Sequence, residues 1–150
     1  MAKEKFSSAE EICKGRLRGN QLMASGIDLS IEEVKLLCKS ERIKEVSWLD
    51  LADNKLCDQG VMELAKCELL KNVQYLNLNN NQIGDEGLKS LANSPNFLNL
   101  KHLHLKNNLI KGEGLMSLFQ SSSLNSLQKF NVNDGWSCRK REGWKYKSRD

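Results

Sequence analysis

Proline is almost absent: Pro95 is the only one in 150 residues, so no proline-rich linker divides the chain. The five cysteines, Cys13, Cys38, Cys57, Cys67 and Cys138, contain no C-x-x-C pair. Their number is odd and their spacing irregular. That argues against a disulfide frame or a zinc site and predicts reduced thiols in a cytoplasmic or nuclear protein. No apolar run reaches the ~18 residues that would span a bilayer. The opening stretch, MAKEKFSSAEEICKGR, is charged and lacks the apolar centre of a secretory signal. A phosphate-binding glycine loop, paired buried carboxylates and a Ser–His–Asp arrangement in a fitting context are missing too. Catalysis, a cofactor and a small-molecule substrate are therefore not expected.

What is present is ordinary in bulk. The chain is 39% hydrophobic and 28% charged, the profile of one soluble globular domain. Its net charge of +4 is unevenly placed. Residues 136–150 hold six basic and two acidic side chains, which accounts for the whole excess. The rest of the chain is balanced.

Four phrases start at Val46, Val73, Leu100 and Leu127, each 27 residues after the last. Their fourth positions are Leu49, Leu76, Leu103 and Phe130, and their sixth are Leu51, Leu78, Leu105 and Val132. The ninth are Asn54, Asn81 and Asn108, then Gly135. The eleventh are Leu56, Ile83 and Ile110, then Ser137, and the fifteenth are Gly60, Gly87 and Gly114. Apolar period two at the start of each phrase predicts a short strand. Spacing of three and four later, as in Leu88, Leu91 and Ala92, predicts a helix. Asp58 and Asp85 stand where they would cap those helices, and Gly112 replaces them in the next phrase. The recurring glycines fall in the first helical turn, where a side chain would crowd the neighbouring repeat.

The asparagines have a structural reading. A chain that turns away from a stacked parallel sheet leaves backbone N–H and C=O groups inside. A buried amide side chain satisfies both kinds, so Asn54, Asn81 and Asn108 are predicted to form a ladder. Asn79, Asn80 and Asn107 precede the ladder and are expected to be exposed.

The repeated L-x-x-L-x-L-x-x-N-x-L resembles a leucine-rich repeat. The 27-residue unit with N-x-I-G-D-E-G-L-x-x-L is similar to the ribonuclease-inhibitor-like class. The likeness is close over residues 46–124 and partial over 127–134. It implies an α/β solenoid with short parallel strands on a concave face and helices on a convex face, used to bind other macromolecules.

The ends are expected to be irregular. Residues 1–16 are predicted to be an N-terminal cap or partly disordered. Residues 17–135 form the repeat domain, with an atypical first repeat at 17–45, repeats at 46–72, 73–99 and 100–126, and a truncated last one at 127–135. In the first, Val34, Leu37, Cys38 and Ile43 match the later helices, and Ser30 to Glu33 fit a capping box. LRGNQL, from Leu17 to Leu22, resembles a strand shifted out of register. The stack is expected to stop at the last phrase, and residues 136–150 form a basic aromatic tail. Cys38 is expected to be a small buried hydrophobe.

Candidate contact residues follow from the strand positions that point outward. They are Trp48, Asp50, Asp53, Tyr75, Asn77, Asn79, His102, His104, Lys106 and Lys129, with Asn131 in the same columns. Paired aromatics rimmed by amides and charges fit a protein-binding hot spot. The face grades from acidic at Asp50 and Asp53 to basic at Lys101, Lys106 and Lys129. His102 and His104 share a side of one strand, but Asn77 and Asn131 flank them, so no metal site is expected. The tail interleaves Trp136, Trp144 and Tyr146 with Arg139, Lys140, Arg141 and Lys145. Three readings stand: aromatics folded over the open core, contact with RNA or a ribonucleoprotein, or contact with an acidic protein surface. The leading expectation is a non-catalytic adaptor or recognition subunit that binds a protein partner.

Overall fold

The computed structural model describes residues 6–132, 136–140 and 144–147. Each repeat begins with a strand. The strands are β1 (Leu17–Arg18), β2 (Gln21–Met23), β3 (Trp48–Asp50), β4 (Tyr75–Asn77), β5 (His102–Leu105), β6 (Lys129–Val132), β7 (Trp136–Lys140) and β8 (Trp144–Lys147). They make one open sheet in chain order. From β2 to β6 the strands are parallel, and Gln21, Trp48, Tyr75, His102 and Lys129 lie side by side. The 27-residue spacing of the sequence is thus the register of the sheet.

Two expectations at the ends need correction. The first strand is in register: Gln21, Leu22 and Met23 pair with Trp48, Leu49 and Asp50. What looks like slippage is an added strand, because Leu17–Arg18 folds back antiparallel on Gln21–Leu22. The two residues between include Gly19 at φ +58°, a value that glycine adopts without cost in a tight hairpin. At the other end only the parallel stack stops. The backbone of β7 pairs antiparallel with β6, and β8 pairs antiparallel with β7. Residues 133–135, with Gly135, lie outside the described residues.

Behind the strands run α1 (Ala9–Cys13), α2 (Ile31–Leu37), α3 (Cys57–Lys66), α4 (Asp85–Ala92) and α5 (Gly112–Gln120). Each packs on its sequence neighbour. Strands sit about 4.8 Å apart and packed helices about 8–10 Å. One repeat cannot satisfy both spacings in a flat array, so the stack bends with its strands inside. The core between the layers is made of the predicted columns: Leu49, Leu76, Leu103 and Phe130, then Leu51, Leu78, Leu105 and Val132, are all buried. In the first repeat Val34, Leu37 and Ile43 are fully buried. Among the described residues the columns depart at Cys38, which is half-buried, and in α5, where Leu115 is half-buried and Phe119 is exposed. Among the described residues no helix follows α5.

The asparagine ladder forms as predicted. Asn81 Oδ1 accepts from the backbone N–H of Asn54 and of Leu56, each at 3.2 Å, in the preceding repeat. Its Nδ2 donates to Leu51 C=O at 2.9 Å and Asn79 C=O at 3.0 Å. Asn54 serves Ile27 and Leu29 in the same way, and Asn108 serves Asn81 and Ile83. Among the described residues no buried side-chain nitrogen or oxygen lacks a partner.

The aspartates work differently from the prediction. Asp58 and Asp85 lie within the first turns of α3 and α4 and cap neither helix. Asp58 Oδ1 instead accepts from Gly84 N at 2.7 Å and Gly87 N at 3.0 Å, at the start of the following helix. Asp85 Oδ1 accepts from Lys111 N at 2.7 Å, just before α5. A carboxylate there also suits the positive end of the helix dipole. The capped turn leaves no room for a side chain. A Cβ on Gly87 would meet Asp58 Oδ1 at 2.5 Å and Asp58 Cα at 3.0 Å. Gly60 has no such neighbour, since its Cβ would strike Leu56 in its own repeat. The capping box of α2 forms as expected, with Ser30 Oγ accepting from Glu33 N and Glu33 Oε2 accepting from Ser30 N.

A third column joins the helix ends. Ser94 Oγ donates to Ala65 C=O, and Ser121 Oγ donates to Ala92 C=O. Cys67 occupies the same position one repeat earlier, with its Sγ 3.8 Å from Cys38 C=O. Cys38 is therefore not a plain buried hydrophobe. It ends α2 half-buried, and hydrogen bonding to Cys67 together with burial pushes its thiol pKa up. Among the described residues Cys13, Cys38, Cys57 and Cys67 are free thiols.

Replacing Asn81 by alanine should destabilise the fold by on the order of 3 kcal/mol in urea unfolding, because three of its four bonds are buried. Gly87→Ala should cost roughly 2 kcal/mol. Gly112→Ala, whose Cβ meets nothing within 4 Å, should be neutral or stabilising by up to ~0.5 kcal/mol. Equal effects at the two glycines would refute the aspartate argument.

Candidate functional site

Alternation along a strand sends Leu49, Leu76 and Leu103 into the core and their flanking residues to the opposite face. The parallel register then builds columns. Trp48 and Tyr75 become neighbours, and their rings stack with centroids 3.6 Å apart and planes 10° apart. Tyr75 is also 4.8 Å from the His104 ring and 6.4 Å from that of His102. Four rings from three adjacent strands thus share one patch. Trp48 remains 38% exposed, since Tyr75 covers only one of its faces. On its other flank the registered residue is the exposed Gln21.

Charges surround the rings. Asp50 is half-buried beside them, and its Oδ1 accepts from Ala52 N at 3.1 Å. Burial raises the Tyr75 hydroxyl pKa, and the Asp50 carboxylate adds to the rise. Asp53 is exposed, and its Oδ1 accepts from Asn80 Nδ2 at 2.8 Å. Lys106 and Lys129 are half-exposed on the far side. Among the described residues the ion pairs are Lys35–Glu32, Arg42–Glu10, Lys44–Glu41 and Lys66–Glu63. None involves a charge of the strand face.

The neutral His104 ring is held in one tautomer. Asn131 Oδ1 accepts from Leu105 N at 3.3 Å, which orients the amide so that Nδ2 donates to His104 Nδ1 at 3.0 Å. Nδ1 is thus the acceptor and the proton rests on Nε2. Burial lowers the pKa of His104, and the charges of Lys129, His102 and Lys106 lower it further, with only Asp50 opposing.

The structure corrects two assignments. Asn131, placed with the outward residues, is buried because it supports both His104 and β5. Asn79 is half-buried, because its Oδ1 accepts from Lys106 N at 2.7 Å. Asn77 also has a local duty, since its Oδ1 accepts from Asn79 N at 3.1 Å. Asn80 and Asn107 are exposed as predicted. With Asp53 they adopt φ of +54° to +58°, a left-handed conformation that Asn and Asp tolerate best after glycine. Two residues of the patch escaped the sequence reading. Gln21 and Met23 extend it onto β2, and Met23 is 45% exposed. Their distance of 27 residues from Trp48 and Asp50 was the available signal.

Among the described residues no group of three or more His, Cys, Asp or Glu side chains is placed to hold a metal ion. No described helix is long and apolar enough to cross a membrane. The side chains of Arg139, Lys140, Trp144, Lys145 and Tyr146, and the whole of Arg141, lie outside the described residues.

The depressed pKa of His104 makes stability pH-dependent. The unfolded chain takes up the proton near pH 6.5 and the folded chain only below that. The contribution is fully present above pH 6.5 and declines as the pH falls through that value towards the folded pKa. Urea midpoints at pH 7.5 and 5.5 should differ in that sense, and His104→Gln should narrow the difference.

Comparison with family models matches the chain to the leucine-rich repeat over residues 49–65, 70–92 and 98–119. The match is to the repeat in general, not to the ribonuclease-inhibitor-like class. No curated protein matches the chain.

Proposed function

The chain is a leucine-rich repeat protein, and we propose that its strand face binds a protein partner, with the molecule acting as a cytoplasmic adaptor or recognition subunit. Such repeats commonly mediate protein–protein interaction and are typically non-catalytic. The observation that carries the proposal is the stack of the exposed Trp48 on the half-buried Tyr75 in the parallel part of the sheet. The two rings are held by strand register and give up little conformational freedom on binding. Rigid aromatic surface of this kind is what interface hot spots use.

Size sets the character of the complex. Five parallel strands about 4.8 Å apart give a face only ~20 Å across. That is small against the roughly 800 Å² per partner of a standard interface. A partner held by this face alone would be held through a short segment.

Capture from native lysate tests the proposal. The intact protein should retain a partner with and without nuclease. Trp48→Ala with Tyr75→Ala should lose it at least tenfold while the circular dichroism spectrum stays the same. A partner released by nuclease, or indifferent to the double substitution, would move the binding site off this face.

A further inference from the structure

Charge on the strand face is ordered. Asp50 and Asp53 sit on and just after β3. The β4 row, Tyr75 and Asn77, carries no charge. Lys106 follows β5 and Lys129 opens β6. From β3 to β6 is three strand steps, about 14 Å. Within the described residues none of these four charges is in an ion pair.

The acidic end is not explained by the fold. Asp50 Oδ1 receives the Ala52 N–H, but one repeat later Asn77 does the same for Asn79. Asp53 occupies a left-handed position at φ +58°, but Asn80 and Asn107 fill that position equally well at +54°. At both sites the repeat needs only an amide oxygen or a compact polar side chain. The two negative charges are additional, and Asp50 shares the outward side of β3 with an indole that is 38% exposed.

Building on the protein-binding reading above, we infer that the face takes a partner segment bearing an arginine and, about 14 Å away, an acidic residue. The guanidinium lies against Trp48 and pairs with Asp50 or Asp53, and the carboxylate meets Lys129, with Lys106 one strand nearer. Arginine fits better than lysine, because its planar head stacks on an aromatic face and bonds a carboxylate through two N–H groups at once. A nucleic acid fits worse, since Asp50 and Asp53 would repel its phosphates where the rings invite stacking. In an extended segment rising ~3.3 Å per residue, 14 Å separates the two charges by about three to five positions.

Selection from a displayed library of random 12-residue peptides tests this. The full chain should enrich peptides with Arg and Asp or Glu three to five positions apart, in one order. Asp50→Asn with Asp53→Asn keeps the local hydrogen bonding and should abolish the arginine preference while the acidic one persists. Lys106→Gln with Lys129→Gln should do the reverse. Arg→Lys in an enriched peptide should weaken binding several-fold. Enriched peptides without the charge pair, or an arginine preference that survives in the asparagine variant, would overturn the inference. If binding were still lost with Trp48→Ala and Tyr75→Ala, the broader reading of the face would stand. Binding that survives that double substitution, or no enrichment at all, would overturn both. Competition by single-stranded RNA, or self-association of the chain through this face, would also overturn the inference.

Discussion

A chain that leaves a parallel sheet every 27 residues must hide backbone groups with no strand partner. That constraint governs the rest of the molecule. Each unpaired buried group costs about 1–3 kcal/mol, and each turn contains several. One asparagine per repeat settles the matter by reaching backward, as Asn81 does to Asn54 and Leu56. The reach works only if successive repeats are aligned to the residue. The same alignment then lays Trp48 beside Tyr75 and sets Asp50 beside Asn77. The binding face is a by-product of the register that the buried amides enforce.

Traffic between repeats runs in both directions. Asparagines serve the repeat before them. Asp58 and Asp85 serve the repeat after them, by capping its helix start. Ser94 and Ser121 close the helix ends against the preceding repeat. Strand edge, helix start and helix end are thus each tied across every interface of the middle repeats. A repeat stack gains its stability from such nearest-neighbour terms. Where the ties run out, the side chains show it: Gly112 offers no carboxylate onward, and Phe119 is left exposed.

Much of this was legible because a period is a strong signal. The core columns, the ladder and the outward face all follow from counting 27. What escaped was whatever the period does not encode. Asp58 stands at the start of its own helix, so a local cap was the natural reading. Its real partners, Gly84 and Gly87, lie 26 and 29 residues away. Leu17–Arg18 hid the true first strand because a hairpin partner is apolar in the same rhythm. Asn131 looked outward by alternation but is buried under His104, a consequence of packing that no pattern announces. Face composition was readable; which of its amides were already engaged was not.

The inter-repeat bonds share nearly one offset, between 25 and 30 residues for every member of the ladders. The two interfaces joining the repeats at 46–72, 73–99 and 100–126 therefore present the same sockets and plugs. Excising one internal repeat, or copying it in place, would rejoin matching surfaces, whereas losing any other number of residues would misalign all three sets of bonds together. Length in such a chain is quantised. The genetic event that it tolerates best is the gain or loss of a whole repeat, which would widen or narrow the face by one column while leaving the chemistry of the remaining columns untouched.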